Sequence, residues 1–196
     1  VHTSNLFRID LQESVAEQLR AMTGMENMFF CNSGAEANEA AIKLARRFGH
    51  QKGIETPHMI VLDGAFHGRT VGALSATGNQ KIRQGFGPLL EGFVHVPPND
   101  LSAIDALADS RTDIAAIMVE PIMGEGGIRP LQTDYLQGLH ARCAQQDWLL
   151  IFDEVQTGNG RCGSAYVFEQ LGVSPDVLLT AKGLGNGLPI GVCMAK

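Results

Sequence analysis

The sequence predicts an α/β fold, a mostly parallel central sheet with helices on both faces, built as one domain. Three observations carry this. Short apolar runs recur along the 196 residues, and most are continuous rather than alternating, as strands buried on both faces require. Between them lie stretches with apolar residues every three or four positions, the helical period. Strand and helix then alternate to the end of the chain, the order that packs helices over a parallel sheet. No internal repeat, low-complexity tract or linker interrupts it.

In chain order, Leu11, Val15, Leu19 and Met22 mark a first helix. Residues 28–31 read as a strand running into Asn32-Ser33-Gly34-Ala35-Glu36, and a long helix follows over residues 37–48. Residues 59–62 and 93–96 are buried-looking strands, and Asp100 begins a helix over 101–107. A strand at 114–119, a helix at 135–146 and a strand at 149–152 come next. A short helix near 166–171 leads to a strand at 177–179, and residues 190–194 form the last strand.

The net charge of −6 and the pI near 5.5 provide no basic field for nucleic acid or an anionic membrane. An anionic ligand would need local donors. Cys31, Cys143, Cys162 and Cys193 are scattered without a C-x-x-C pair. They read as small apolar fillers rather than disulfide halves or zinc ligands, which fits a reducing cytoplasm and no bound metal. No apolar run approaches the ~20 residues that span a bilayer. The opening residues lack the charged and apolar regions of a signal peptide. They also lack an initiator methionine, and the chain stops on an apolar run, so it is expected to be a piece of a longer protein.

In parallel sheets, ligands bind outside the carboxyl ends of the strands, so the polar residues after each strand are the candidates. Ser33, with Glu36 three residues later, forms a capping box. That pair either only starts a helix, or the N–H groups of Ser33, Gly34 and Ala35 also cradle a phosphate at the positive end of the helix dipole. No lysine closes the turn, so it is not a P-loop. Asp153 and Glu154 follow an apolar strand directly. A buried carboxylate is costly unless paired, and either acid can instead cap the next turn. Lys182 stands between an apolar strand and the loop Gly183-Leu184-Gly185-Asn186-Gly187. Either it is an ordinary surface lysine, or it lies in a crevice where desolvation favours the neutral, nucleophilic amine. The loop does not match G-x-G-x-x-G. A phosphate cup, a carboxylate and a lysine together answer the needs of pyridoxal phosphate: an anion site, a partner for the pyridine nitrogen, and an amine for the Schiff base.

At this point the chain resembles, over essentially its whole length, the class III (ornithine/acetylornithine-type) aminotransferases of the fold-type-I superfamily. The resemblance rests on Asn32-Ser33-Gly34-Ala35-Glu36-Ala37-Asn38-Glu39-Ala40, Phe66-His67-Gly68-Arg69-Thr70, Val119-Glu120-Pro121-Ile122, Gly124-Glu125-Gly126-Gly127, Phe152-Asp153-Glu154-Val155-Gln156-Thr157-Gly158 and Ala181-Lys182-Gly183-Leu184. It implies that residues 1–196 are an incomplete cofactor-binding large domain, without the N-terminal segment and the C-terminal small domain. It implies that the backbone of Ser33, Gly34 and Ala35 binds the cofactor phosphate, and that Phe66 and Val155 press on the two ring faces. Asp153 would pair with the ring nitrogen, Gln156 would bond near the ring's 3-oxygen, and Lys182 would carry the cofactor and shuttle the proton.

Substrate expectations come from the same resemblance. Arg69 matches a position that contacts the acyl end of the substrate in acetylornithine-type enzymes, and Glu125 one that gates a substrate-binding arginine. The opening His2-Thr3-Ser4-Asn5-Leu6-Phe7 and the run Gly85-Phe86-Gly87-Pro88-Leu89 also favour that branch. The implied reaction takes the amino group of N2-acetylornithine to 2-oxoglutarate, in arginine biosynthesis, within a cytoplasmic homodimer. Succinylornithine, ornithine or 4-aminobutyrate as donor stays open, as does an inactive cofactor-binding piece. Three residues depart from the family pattern: Met123 stands for Gln, Cys162 for Thr, and Asn186 for a small residue.

Overall fold

The computed structural model describes residues 3–4 and 6–196. The opening segment singled out above therefore lies partly outside the described residues. Helix α1 (Asp10–Thr23) ends on Gly24, whose φ of 72° closes the helix in the left-handed conformation. Strand β1 (Asn27–Cys31) leads into α2 (Gly34–Gln51), which starts three residues earlier than expected because Ser33 caps it. Then come β2 (His58–Leu62), the short helices α3 (Val71–Ala76) and α4 (Gln80–Arg83), β3 (Phe93–Val96), α5 (Leu101–Ser110) and β4 (Ile114–Val119). A two-residue hairpin, β5 (Ile122–Met123) with β6 (Arg129–Pro130), precedes α6 (Thr133–Gln146) and β7 (Leu149–Asp153). The chain closes with α7 (Phe168–Leu171), β8 (Val177–Ala181), a single 3-10 turn (Lys182–Gly185) and β9 (Gly191–Ala195).

Seven strands form one sheet in the order β1-β9-β8-β7-β4-β2-β3. The pairs β2–β3, β2–β4, β4–β7 and β7–β8 are parallel, whereas β9 runs antiparallel to both β8 and β1. The direction of β9 has a physical cause. A parallel return needs a crossover of about a dozen residues or more, and residues 182–190 are too few for one.

Alternate residues of each strand serve the two faces. Ile60, Leu62, Ile117 and Val119 pack with Leu19 of α1, Ile104 of α5 and Leu136 and Leu139 of α6. Met59, Val61, Ala116 and Met118 pack with Ala37, Ala41, Ile42 and Ala45 of α2. Small residues let α2 lie close to the sheet, and its Gly49 admits no side chain because a Cβ would sit 2.5 Å from Pro57. Cys143 and Cys193 are buried fillers as expected, while Cys31 and Cys162 are only half-buried. Among the described residues no helix is long and apolar enough to cross a membrane.

The layers leave the carboxyl ends of β1, β2, β4, β7 and β8 on one edge of the sheet, together with the start of β9. The segments around Ser33, Phe66, Glu120, Asp153 and Lys182 all lie at or just after one of those ends.

Candidate active site

A cavity of about 370 Å³ opens at this edge. Ser33, Gly34, Ala35, Phe66, Arg69, Glu125, Asp153, Val155, Gln156 and Lys182 all line it. The ten residues come from five separate stretches of chain, and the topology alone brings them together.

One wall is the start of α2. Ser33 is extended (φ −160°, ψ 162°), and its Oγ accepts the Glu36 N–H at 3.2 Å. Glu36 departs from the expected capping box. Its Oε2 accepts the backbone N–H and the side-chain amide of Asn32, both at 3.0 Å, and so closes the turn one residue earlier. The first N–H groups of a helix have no acceptor within it, so this turn presents donors to an anion. Two glycines make room for it. A Cβ on Gly34 would lie 2.6 Å from Val155 Cγ1, and one on Gly191 only 2.2 Å from the Ser33 carbonyl oxygen.

The floor is Asp153, the last residue of β7 and 4% exposed. Its Oδ2 accepts the Asn38 side-chain amide at 2.9 Å and lies 2.8 Å from His67 Nδ1. Its Oδ1 accepts the Val155 N–H at 3.1 Å. Asp153 thus caps the following turn with one oxygen and is paired within the cavity with the other. Glu154 points away. Its carboxylate accepts from Val167 N, Phe168 N and Thr157 Oγ1, which caps the start of α7 at Phe168 and ties it to the sheet. Burial pushes the Glu154 carboxyl above its ordinary range.

Asn38, His67 and Glu120 are the residues that sequence reasoning passed over, although each stood inside a quoted segment. Asn38 carried a readable signal: it is a polar residue on the otherwise apolar face of α2, and a buried polar group is the informative exception. Its Oδ1 and the Nε2 of His67 are buried without a hydrogen-bond partner. Glu120 follows β4 and is 4% exposed. It accepts from Phe66 N at 2.8 Å and Gly124 N at 3.1 Å, bracing two loops of the cavity against each other. Burial raises its carboxyl above the ordinary range, with Asp153 adding to the rise and His67 opposing it.

The opposite wall is more open. Phe66 is half-buried, and the exposed Arg69 places its guanidinium 5.3 Å from the Phe66 ring centre. Glu125 is exposed on the turn between β5 and β6. Lys182 lines the cavity, as the crevice reading expects, but its side chain is exposed rather than desolvated. The chain leaves β8 at Ala181 and turns out through residues 182–185 into an exposed stretch at 186–189. Lys182 Nζ donates to Gln156 Oε1. Its backbone is left-handed, with φ 48°. Among the described residues no group of three or more His, Cys, Asp or Glu side chains could hold a metal ion.

Comparison with known proteins gives a consistent picture. The class-III aminotransferase family matches residues 1–196. The acetylornithine aminotransferase of Nitrosomonas europaea is 53% identical over 195 residues, covering 100% of this chain and 50% of its own length. Among solved structures, the N-acetylornithine aminotransferase of Stenotrophomonas maltophilia K279a is 37% identical with a TM-score of 0.83, over 99% of this chain and 48% of that one. An ornithine aminotransferase of Toxoplasma gondii, described with partial occupancy of PLP at its active site, is 33% identical with a TM-score of 0.93, over 98% of this chain and 46% of that one. The chain spans about half the length of the curated relatives it matches. A match along the whole sequence, together with the fold and the cavity, places it: the chain belongs to the class-III aminotransferase family.

Proposed function

We propose that this chain is the cofactor-binding large domain of a pyridoxal-phosphate-dependent transaminase. The reaction moves the δ-amino group of N2-acetylornithine to 2-oxoglutarate, giving N-acetylglutamate 5-semialdehyde and glutamate. One observation carries the reading: a single cavity unites an anion-ready helix start, a buried carboxylate and an amine. These fit pyridoxal phosphate, whose phosphate, ring nitrogen and aldehyde call for those groups in turn. When bound, the cofactor supplies an electron sink through its protonated ring.

The chain's own residues do the rest. The amides of Ser33, Gly34 and Ala35 would hold the phosphate. Phe66 and Val155 would flank the ring. Asp153 would keep the ring nitrogen protonated, and its bonds to Asn38 and His67 fix the orientation of that carboxylate. Such fixed charge costs no reorganisation when the reaction occurs. Gln156, which already accepts from the Lys182 amine, would bond near the ring's 3-oxygen. Lys182 would hold the cofactor through its Nζ, and the freed amine would serve as base and then acid for the proton on the amino-bearing carbon. Arg69 and Glu125 face the substrate, where a guanidinium suits carboxylate and acyl oxygens.

Two successive half-reactions imply ping-pong kinetics. A cytoplasmic homodimer of the longer enzyme completes the reading. Acetylornithine aminotransferases at 46% and 53% identity over the whole chain support the choice of donor. A substrate panel on the full-length enzyme tests it. The highest kcat/KM is expected for N2-acetylornithine over succinylornithine, ornithine and 4-aminobutyrate; dominance of 4-aminobutyrate would overturn the assignment.

A further inference from the structure

We propose that Asn159 is a positioning residue for Lys182, its carboxamide fixing the backbone from which the lysine projects. The inference rests on the role given to Lys182 above. Strands β7 and β8 pair only as far as Asp153 and Leu179, and Glu154 N closes that edge on the Leu179 carbonyl at 3.0 Å. Thr180 and Ala181 lie beyond the last β7 partner. Asn159 reaches them from the turn after β7. Its Nδ2 donates to Thr180 Oγ1 at 2.8 Å and to the Ala181 carbonyl at 3.0 Å.

A carboxamide nitrogen has two hydrogens, and both are used on the two residues before the lysine. The side chain takes the place that another residue of β7 would have filled. On the far side of the lysine, a Cβ on Gly183 would lie 3.2 Å from Asn159 Cβ, so that segment packs on Asn159 too.

The lysine needs this bracing. A residue other than glycine stays left-handed only where its surroundings enforce it, and Lys182 has φ 48° directly after Ala181. Asn159 is left-handed itself, with φ 59°, a conformation asparagine tolerates better than most side chains. Gln156 from the same turn accepts from the lysine Nζ. One turn therefore grips Lys182 at root and head, and freeing the root displaces the amine from the atoms between which it moves a proton.

A positioning role predicts a loss in kcat with little change in KM. The test uses the full-length holoenzyme and two variants, Asn159→Ala and Thr180→Val; the second removes one of the two acceptors while keeping the side chain's shape. The readings are the visible absorbance band of the lysine-bound cofactor, the pH titration of that band, and kcat and KM for N2-acetylornithine. Asn159→Ala is expected to keep the band, shift its titration and lower kcat about tenfold with KM within about twofold, because small misplacements of a catalytic group are costly. Thr180→Val should lose about threefold, in keeping with one hydrogen bond. If Asn159→Ala does not fold, Thr180→Val decides alone by the same readings.

Variants that match the wild type in kcat and titration would overturn the inference. So would a rise in KM and loss of cofactor in step with falling thermal stability, which is the pattern of a merely structural residue. An active wild type beside unaffected variants removes this inference alone, whereas a wild type with no cofactor band removes the proposed function and the inference with it.

Discussion

At the Asp153 end of the cavity the polar side chains are buried and bonded to one another, whereas Arg69, Glu125 and Lys182 on the other wall are exposed. The difference follows from the elements that supply them. Asp153, Asn38 and Glu120 sit on or directly after strands and a helix packed into the core. Arg69 and Glu125 sit on loops, and Lys182 on a turn leaving the sheet. The buried end is set before any ligand arrives. The exposed wall acquires its final environment from whatever packs on it.

Substitutions should separate the two ends, beginning with the lysine on the exposed wall. Lys182→Ala would remove both the proposed covalent attachment and the proposed proton shuttle, and turnover in the full-length enzyme should fall by at least about 10³-fold. Residual activity close to wild type would break the account. Asp153→Asn removes the buried carboxylate proposed to face the ring nitrogen, and losing one preorganised electrostatic contact of that kind costs about 10²–10³-fold in kcat, with phosphate binding intact. An equal loss of cofactor affinity would mean that Asp153 serves the fold more than the ring.

Smaller effects sharpen the contrast. Gly34→Ala pushes a methyl group to within 2.6 Å of Val155 Cγ1. That overpacking should lower stability by about 1–3 kcal/mol and weaken cofactor binding, read by thermal melts and titration. Arg69→Ala should leave the cofactor spectrum unchanged and raise KM for N2-acetylornithine roughly tenfold or more, as expected for a lost hydrogen bond to a charged group. An unchanged KM would take Arg69 out of the substrate site.

The least effect concerns pH. Burial raises the Glu120 carboxyl above its ordinary value of 4.5. The folded state then binds that proton more tightly than the unfolded state, so the contribution is fully present below the ordinary value and is lost as pH rises through the folded one. In Glu120→Gln this loss is absent. The difference in thermal midpoint should therefore move in the variant's favour as pH is raised from about 4 to about 7. A constant difference would contradict the assignment.

Much of this was legible in the sequence, for reasons tied to particular residues. The strands at 59–62 and 114–119 are continuous apolar runs, and burial on both faces demands that pattern. The helix α3 was not legible because its small buried residues show no amphipathic period, and the hairpin β5–β6 is too short for any periodicity. The ten cavity residues were found because they stand in contiguous motifs. Asn38 and His67 reach Asp153 across 115 and 86 residues of chain, and Glu120 reaches Phe66 across 54. Only the topology makes such pairs neighbours. The exposure of Lys182 is not legible for a related reason: its position at a strand end shows in the sequence, but the outward turn after it does not. Of the departures from the family pattern, Met123 is fully buried in the core, and Asn186 ends the turn after Lys182 in the left-handed conformation with φ 47°.

The most direct test is an absorbance spectrum of the full-length enzyme and of its Lys182→Ala variant, before and after N2-acetylornithine is added. The account predicts a visible band in the wild type that bleaches with the substrate, and no lysine-bound band in the variant. A wild type that binds no pyridoxal phosphate, or a variant with an unaltered band, would contradict it.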